Sequence, residues 1–154
     1  MAGQLTNTDH VGFTVEDLDR STAYWSRLLE REPKARKTWD VPYLSRIHGY
    51  PGVKVEAAFF DLPGGMTLEL IQYHAPSSVR VSMETYMVGN AHVSFATDDL
   101  QGLFDRMEGH GGFRSPTPVL IEWGPYEGGY AGRLLDPDGI TVEVVQLPPG
   151  GVKL

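Results

Sequence analysis

The chain contains an internal repeat, and this repeat limits the folds that it can adopt. Residues 10–18, HVGFTVEDL, return as HVSFATDDL at residues 92–100. Residues 67–72, TLELIQ, return as TVEVVQ at residues 141–146. Internal similarity of this kind is typical of two copies of one supersecondary unit. Each copy therefore begins with a strand that carries a histidine and ends with a strand that carries a glutamate.

The repeated strands place the same ionisable residues on equivalent faces. Successive side chains of a strand point to opposite faces, so His10 points away from the apolar face that begins with Val11. By the same alternation, Glu69 points away from the apolar side chains of its own strand. His92 and Glu143 repeat this arrangement in the second copy. Polar residues on such a face predict the lining of a cleft.

The two copies divide the chain into modules with the order β-α-β-β-β. The first module is expected at about residues 8–73 and the second at about 91–147, with residues 74–90 as a linker. Both modules belong to a single domain that spans residues 1–154. From histidine to glutamate, the first module is 8 residues longer than the second, 59 residues (10 to 69) against 51 (92 to 143).

The expected elements of each module follow from hydrophobic spacing and from turn residues. In the first module, a helix beginning at Leu18 and ended by Pro33 lies among strands at about 9–15, 35–39, 53–61 and 66–72. In the second, a helix over residues 100–107 is followed by strands near 113, at 128–135 and at 140–146. The stretch from Trp39 to Gly52, which contains proline and glycines, is expected to be an irregular loop that forms a wall of the cleft.

Composition excludes several classes of function. The net charge of −7 and the pI near 5.1 argue against nucleic acid or anionic membranes as partners. The absence of cysteine excludes disulfides and thiolate chemistry. The first residues resemble no secretory signal, and no apolar run is long enough to cross a membrane. A cytoplasmic protein is expected.

The repeated motifs resemble those of the vicinal oxygen chelate superfamily, also called the glyoxalase, bleomycin-resistance and extradiol-dioxygenase group. The resemblance covers residues 10–146, and it rests on His10 with DLDRS at 17–21, GMTLEL at 65–70, His92 with DDL at 98–100, and DPDGITVE at 136–143. It implies an α+β fold in which two βαβββ modules form a curled mixed sheet around a metal-containing cleft. By analogy with the family, a homodimer is expected.

The resemblance also implies a site for one divalent metal, whose ligands would be His10, Glu69, His92 and Glu143. Two neutral imidazoles and two carboxylates neutralise a divalent cation, and nitrogen and oxygen donors without sulfur suit Zn, Ni, Co, Mn or Fe. Four protein ligands on a six-coordinate ion leave two positions for a chelating substrate. Both glutamates are candidate catalytic residues, and we expect Glu143 to be the fixed ligand and Glu69 the mobile base.

The leading functional hypothesis is a metal-dependent lyase or isomerase of the glyoxalase or epimerase type. Such an enzyme would remove a proton next to the carbonyl group of a small substrate and stabilise the resulting enediolate. Residues in the flanking loops are candidates for substrate binding: Trp39, Tyr43, Arg46, His48, Trp123, Tyr126 and Tyr130.

Two other hypotheses remain open at this stage. The first is an Fe(II) extradiol-type dioxygenase that uses His10, His92 and Glu143 as a facial triad. Glu69 argues against it, because a fourth carboxylate would fill a position that dioxygen and substrate need. The second is a non-catalytic small-molecule binder, such as a drug-resistance protein, whose aromatic cleft holds its ligand.

Overall fold

A computed structural model describes residues 3–152, and it divides the chain into two compact units. Unit 1 is Met1–Arg80 and unit 2 is Val81–Leu154. Each unit contains one mixed β-sheet and few helices, so the predicted α+β class is confirmed. Each module forms a sheet of its own, and neither sheet closes into a barrel. Within residues 3–152, no helix is long and apolar enough to span a membrane.

Unit 1 contains the four predicted strands and one unexpected helix. Its elements are β1 (His10–Thr14), α1 (Leu18–Leu29), β2 (Ala35–Trp39), α2 (Pro42–His48), β3 (Lys54–Asp61) and β4 (Thr67–Ala75). The order of strands in the sheet is β1-β4-β3-β2. β1 runs parallel to β4, whereas β3 is antiparallel to both of its neighbours. The two end strands of the module, which carry the histidine and the glutamate, are therefore direct neighbours.

Helix α1 covers the apolar face of this sheet and is held at its N-terminus by two side chains. Asp17 is the N-cap and accepts a hydrogen bond from the Arg20 backbone N–H at 2.9 Å. The amide oxygen of Gln72, on β4, accepts a hydrogen bond from the Leu18 N–H at 2.9 Å. The ring of Trp25, which is fully buried, stacks on Phe13 of β1. The predicted helix is confirmed, and its apolar stripe packs against the strands.

The stretch from Trp39 to Gly52 is not the irregular loop that its composition predicted. Seven of its residues form α2, which has Pro42 in its first turn and Gly49 as a left-handed C-cap with φ of 76°. A proline in the first turn loses no helical hydrogen bond, and a glycine at the C-cap adopts positive φ without strain. None of the α2 residues is buried. A helix without a buried face needs no regular spacing of apolar residues, so its sequence lacks the pattern that identifies longer helices.

A charged cluster joins β2, β3 and α1 of unit 1. The guanidinium of Arg36 donates a 2.7 Å hydrogen bond to Glu56 and also contacts Asp19. The hydrogen bond from Arg36 is the main reason why the pKa of the Glu56 carboxyl lies below its usual value. Glu56 is therefore ionised at neutral pH. Arg36 of β2, which contacts both Glu56 of β3 and Asp19 of α1, links the two strands to the helix.

Unit 2 repeats the arrangement of unit 1. Its elements are β5 (His92–Thr97), α3 (Leu100–Met107), β6 (Gly112–Phe113), β7 (Val119–Leu120), β8 (Tyr130–Leu135) and β9 (Thr141–Gln146). The order of strands is β5-β9-β8-β6, and β7 pairs with β8. β5 runs parallel to β9, as β1 runs parallel to β4. The short strand β7 lies within a stretch that the sequence predicted to be a loop.

The helix of unit 2 is capped in the same way as the helix of unit 1. Asp99 accepts from the Gly102 N–H at 2.8 Å, and the amide oxygen of Gln146 accepts from the Leu100 N–H at 2.9 Å. Gly132 lies beneath the ring of Phe104, where a Cβ atom would lie within 3.0 Å of two ring carbons. The helix thus packs directly on the backbone of β8.

Candidate functional site

The face of the unit 1 sheet that points away from α1 carries His10 and Glu69. β1 and β4 pair so that Gly12 lies opposite Glu69, one pleat from His10. This register leaves His10 Nε2 at 3.5 Å from Glu69 Oε2. Gly12 also keeps the approach to the carboxylate open, since a Cβ there would lie 3.4 Å from Glu69 Oε2. Unit 1 therefore presents one imidazole nitrogen and one carboxylate side by side.

The orientation of the His10 ring is set by its neighbour in sequence. His10 Nδ1 lies 2.7 Å from Asp9 Oδ2, a hydrogen-bond distance. When Nδ1 carries the proton that is donated to Asp9, the lone pair of Nε2 is directed toward Glu69. A histidine that binds a metal commonly donates its second N–H to a carboxylate in this way. Asp9 was not among the site residues predicted from the sequence, although it lies directly before the repeated histidine.

Aromatic side chains form an apolar wall beside Glu69. Phe59 of β3 lies opposite Glu69 in the antiparallel register. The ring of Trp39, at the end of β2, packs edge-on against Phe59 with centroids 6.0 Å apart. Trp39 is thus placed on the same face as the histidine and glutamate, where the sequence predicted a substrate-binding residue.

A tyrosine and a histidine form a second polar group on this face. Tyr73 lies on the same side of β4 as Glu69, four residues further along the strand. Its hydroxyl shares a 2.6 Å hydrogen bond with His48 Nδ1, at the end of α2. Burial, followed by the nearby Tyr50 and Glu69, raises the pKa of the Tyr73 hydroxyl, which keeps its proton at neutral pH. Helix α2 therefore brings His48 to the sheet, whereas Tyr43 and Arg46 lie exposed on the same helix.

Unit 2 places His92 and Glu143 at the equivalent positions, with one difference. His92 Nε2 lies 4.0 Å from Glu143 Oε2, and Ser94 replaces the glycine of the first copy. The Ser94 hydroxyl donates to Glu143 Oε1 at 3.3 Å. On the other side, Arg133 of β8 lies opposite Glu143 and donates to Oε2 from Nε at 3.0 Å and from Nη2 at 2.7 Å. The carboxylate of unit 2 is thus held by hydrogen bonds.

Arg133 was not among the site residues predicted from the sequence. Its counterpart opposite Glu69 is Phe59, so the repeat gave no reason to select it. The turn of residues 136–139 joins β8 to β9, and counting back along this hairpin from Glu143 would have identified Arg133 as its partner.

The aromatic residues predicted in unit 2 are distributed differently from those in unit 1. Trp123 is 87% exposed and Tyr126 is also exposed, and both lie in the connection between β7 and β8. Tyr130 lines an open pocket of about 830 Å³, together with Ala96, Thr97, Asp98, Gly128, Gln146, Leu147 and Pro149. This pocket lies at the far end of β5 from His92, so Tyr130 is not beside the histidine and glutamate.

The donor atoms of each unit suit a divalent metal in kind. Each pair supplies one imidazole nitrogen and one carboxylate, and Asp9 lies within hydrogen-bond distance of His10 Nδ1, the ring nitrogen that points away from Glu69. Within either unit, the described residues contain no group of three or more histidine, aspartate or glutamate side chains arranged to hold a metal. Each unit thus offers half of the predicted set of four ligands.

Comparison with known proteins identifies the family. A family model described as the Glyoxalase/Bleomycin resistance protein/Dioxygenase superfamily matches residues 7–144, which is most of the chain. The chain therefore belongs to this superfamily, as its repeated motifs predicted. No curated protein matches the sequence.

Solved structures with the same fold have low sequence identity to the chain. A glyoxalase family protein from Bacillus cereus is 19% identical with a TM-score of 0.83, and the match covers 97% of this chain and 99% of that one. A glyoxylase/bleomycin resistance protein/dioxygenase domain from Frankia sp. is 22% identical with a TM-score of 0.67, over 96% of both chains. The trypanothione-dependent glyoxalase I of Leishmania major is 19% identical with a TM-score of 0.62, over 92% and 87%. These structures share the fold with the chain.

Proposed function

We propose that the chain is a divalent-metal-dependent lyase or isomerase of the glyoxalase or epimerase type, acting on a small carbonyl compound. The observation that carries this proposal is the repeated pair of a histidine and a glutamate, separated by 3.5 Å in unit 1 and by 4.0 Å in unit 2. In this proposal the metal is Zn, Ni, Co, Mn or Fe, and its ligands are His10, Glu69, His92 and Glu143. When bound, the metal would supply Lewis-acid stabilisation of the negative charge that develops on the substrate oxygens.

The side chains of the protein would orient the substrate and move its proton. A proton on His10 Nδ1, donated to Asp9 across 2.7 Å, would leave Nε2 unprotonated for the metal. A carboxylate accepts the proton from the carbon next to the carbonyl group, which requires a base within hydrogen-bond reach. In this proposal the rings of Trp39 and Phe59 would contact the apolar part of the substrate beside Glu69, and the pair of His48 and Tyr73 would offer hydrogen bonds to a more distant polar group.

The first test is the metal content of protein purified without added metal. We expect one divalent metal per chain, and its loss in His10→Ala and in His92→Ala. His110→Ala is the matched control, because His110 is an exposed residue outside both pairs and should leave the metal content unchanged. Unchanged metal content in both site variants would contradict the assignment of the ligands.

The second test concerns the chemistry. Hydroxyacetone, a small compound with a carbonyl and a neighbouring hydroxyl group, is incubated with the metal-loaded protein in deuterated water. We expect deuterium to enter at the carbon next to the carbonyl group, at a rate that falls when Glu69 is replaced by Gln and the metal is retained. Metal binding without exchange for a panel of such compounds would favour a non-catalytic binder within the same superfamily.

A further inference from the structure

Arg133 is a charged residue of the unit 2 sheet that the proposed chemistry leaves without a role. Its Nε and Nη2 atoms donate to the same oxygen of Glu143, Oε2, at 3.0 and 2.7 Å. The Ser94 hydroxyl donates to the other oxygen at 3.3 Å. Three hydrogen bonds from two strands therefore fix the orientation of this carboxylate.

Unit 1 shows that the fold does not require an arginine at this position. The strand pairing is the same in both units, yet the residue opposite Glu69 is Phe59. An aromatic ring donates no N–H to a carboxylate, so Glu69 lacks the restraint that Arg133 imposes on Glu143. The two glutamates therefore have equivalent backbone positions, but the carboxylate of Glu143 is held by an arginine and the carboxylate of Glu69 is not.

The ion pair of Arg133 and Glu143 is partly shielded from water. The exposed fractions of the two side chains are 39% and 24%. Hydrogen bonds between ionised groups are stronger than those between neutral groups, and partial burial strengthens them further. Glu143 Oε2 accepts both arginine hydrogen bonds and lies 4.0 Å from His92 Nε2, whereas Oε1 accepts, among the described residues, only from Ser94 and keeps a second lone pair for a cation. Carboxylates that bind metals are commonly supported in this way by an outer hydrogen-bond donor.

We propose that Arg133 is a positioning residue, which holds Glu143 as the permanent carboxylate ligand and leaves Glu69 to move the proton. This inference rests on the proposed function and deepens it. The guanidinium N–H groups occupy Glu143 Oε2, and the Ser94 hydroxyl holds Oε1, so this carboxylate has a fixed orientation. Glu69, which faces the ring of Phe59, keeps its lone pairs for the substrate.

The test is the metal affinity of the full chain, measured by competition with a chromophoric chelator using Zn²⁺ alone as the probe. We expect Arg133→Met to weaken Zn²⁺ binding about 10- to 100-fold while one Zn²⁺ still binds at saturation. Arg133→Lys should be intermediate, because lysine restores the charge without the planar fork. Arg114→Met is the matched control, since Arg114 pairs with Glu84 in the same unit, and it should leave the affinity unchanged.

A double-mutant cycle separates positioning from a general structural effect. Arg133→Met should be coupled to Glu143→Gln, so that the double variant loses little more affinity than the single variants. The same substitution should be additive with Glu69→Gln. Circular dichroism melting of every variant establishes that the fold is retained, and Arg133→Lys provides a second variant if Arg133→Met does not fold.

Three results would overturn the inference. Equal or tighter Zn²⁺ binding by Arg133→Met would mean that the arginine competes with the metal instead of supporting its ligand. Equal coupling to Glu69 and to Glu143 would mean that the effect is not specific to the carboxylate that Arg133 contacts. A wild-type chain that binds none of Zn²⁺, Ni²⁺, Co²⁺, Mn²⁺ and Fe²⁺ would remove the proposed function as well, and binding of the five metals is measured before any variant is made.

Discussion

Replacing Gln72 by Leu is expected to destabilise unit 1 through a single hydrogen bond. In the folded chain the Gln72 amide oxygen accepts from the Leu18 N–H at 2.9 Å. Leu18 is fully buried, so water cannot replace the lost acceptor. A buried donor that is left unsatisfied costs about 1–3 kcal/mol. We therefore expect the free energy of unfolding of unit 1 to fall by this amount, although Leu is similar in size to Gln.

Glu is the matched control at the same position. Gln72→Glu retains an acceptor oxygen and places a negative charge beside the first turn of α1, where the helix dipole favours it. Its loss of stability should be smaller than that of the Leu variant. Urea unfolding, followed by tryptophan fluorescence in variants that carry Phe at positions 39 and 123 so that only the buried Trp25 reports, gives the midpoint and the slope for each variant.

Equal midpoints for the Leu and Glu variants would refute this reasoning, because the variants differ in whether they keep the acceptor. The repeat supplies an independent check in unit 2. The Gln146 amide oxygen accepts from the buried Leu100 N–H at the same distance of 2.9 Å. Gln146→Leu should therefore lower the stability of unit 2 by a similar amount.

Three further predictions concern α2, the core of unit 2 and the charged cluster. Tyr43→Ala and Arg46→Ala should change the affinity for a small carbonyl compound, measured by calorimetric titration, and leave the metal content unchanged. The reason is that α2 belongs to the segment that breaks the repeat. Loss of metal in either variant would contradict this prediction. Gly132→Ala should lower the free energy of unfolding by about 1–3 kcal/mol, because its Cβ would overlap the ring of Phe104, and an unchanged denaturation midpoint would contradict it. Glu56 has a lowered pKa, so its contribution to the free energy of unfolding is present above the usual pKa of a glutamate and is lost as the pH falls through the lowered value. Glu56→Gln should therefore lower the stability of the chain at pH 7 and have little effect in strong acid. Urea unfolding at both pH values measures this difference.

The repeat allowed most of the fold to be predicted from the sequence. Equivalent positions in two copies constrain each other, so the strand that begins at His10 and the strand that begins at His92 could be aligned without a structure. Gln72 and Gln146 also recur in the same alignment, and in the structure each accepts a hydrogen bond from the first N–H of a helix. Their role needed the structure, because a glutamine in a strand gives no sign of which backbone group it will reach.

The features that the repeat did not predict are those in which the two units differ. Helix α2 was missed because none of its residues is buried and it carries no apolar stripe. Tyr73 was missed because its partner His48 comes from that helix, which has no counterpart in unit 2. Arg133 was missed because Phe59 occupies the equivalent place. The contact of Tyr73 with His48 depends on tertiary packing, which a pattern along one strand does not show, whereas Arg133 could have been found from the register of its hairpin.

The contrast between Phe59 and Arg133 also bears on how a duplicated protein acquires distinct halves. After a duplication, both copies begin with the same residue opposite the glutamate, and the hydrogen bonds of the hairpin are made by the backbone, so that position is free to change. A substitution in one copy leaves the other unaltered and breaks the chemical symmetry of the pair. If the two glutamates have the roles proposed above, exchanging these two side chains between the halves would exchange those roles, and a chain with the same residue in both halves would have two equivalent carboxylates.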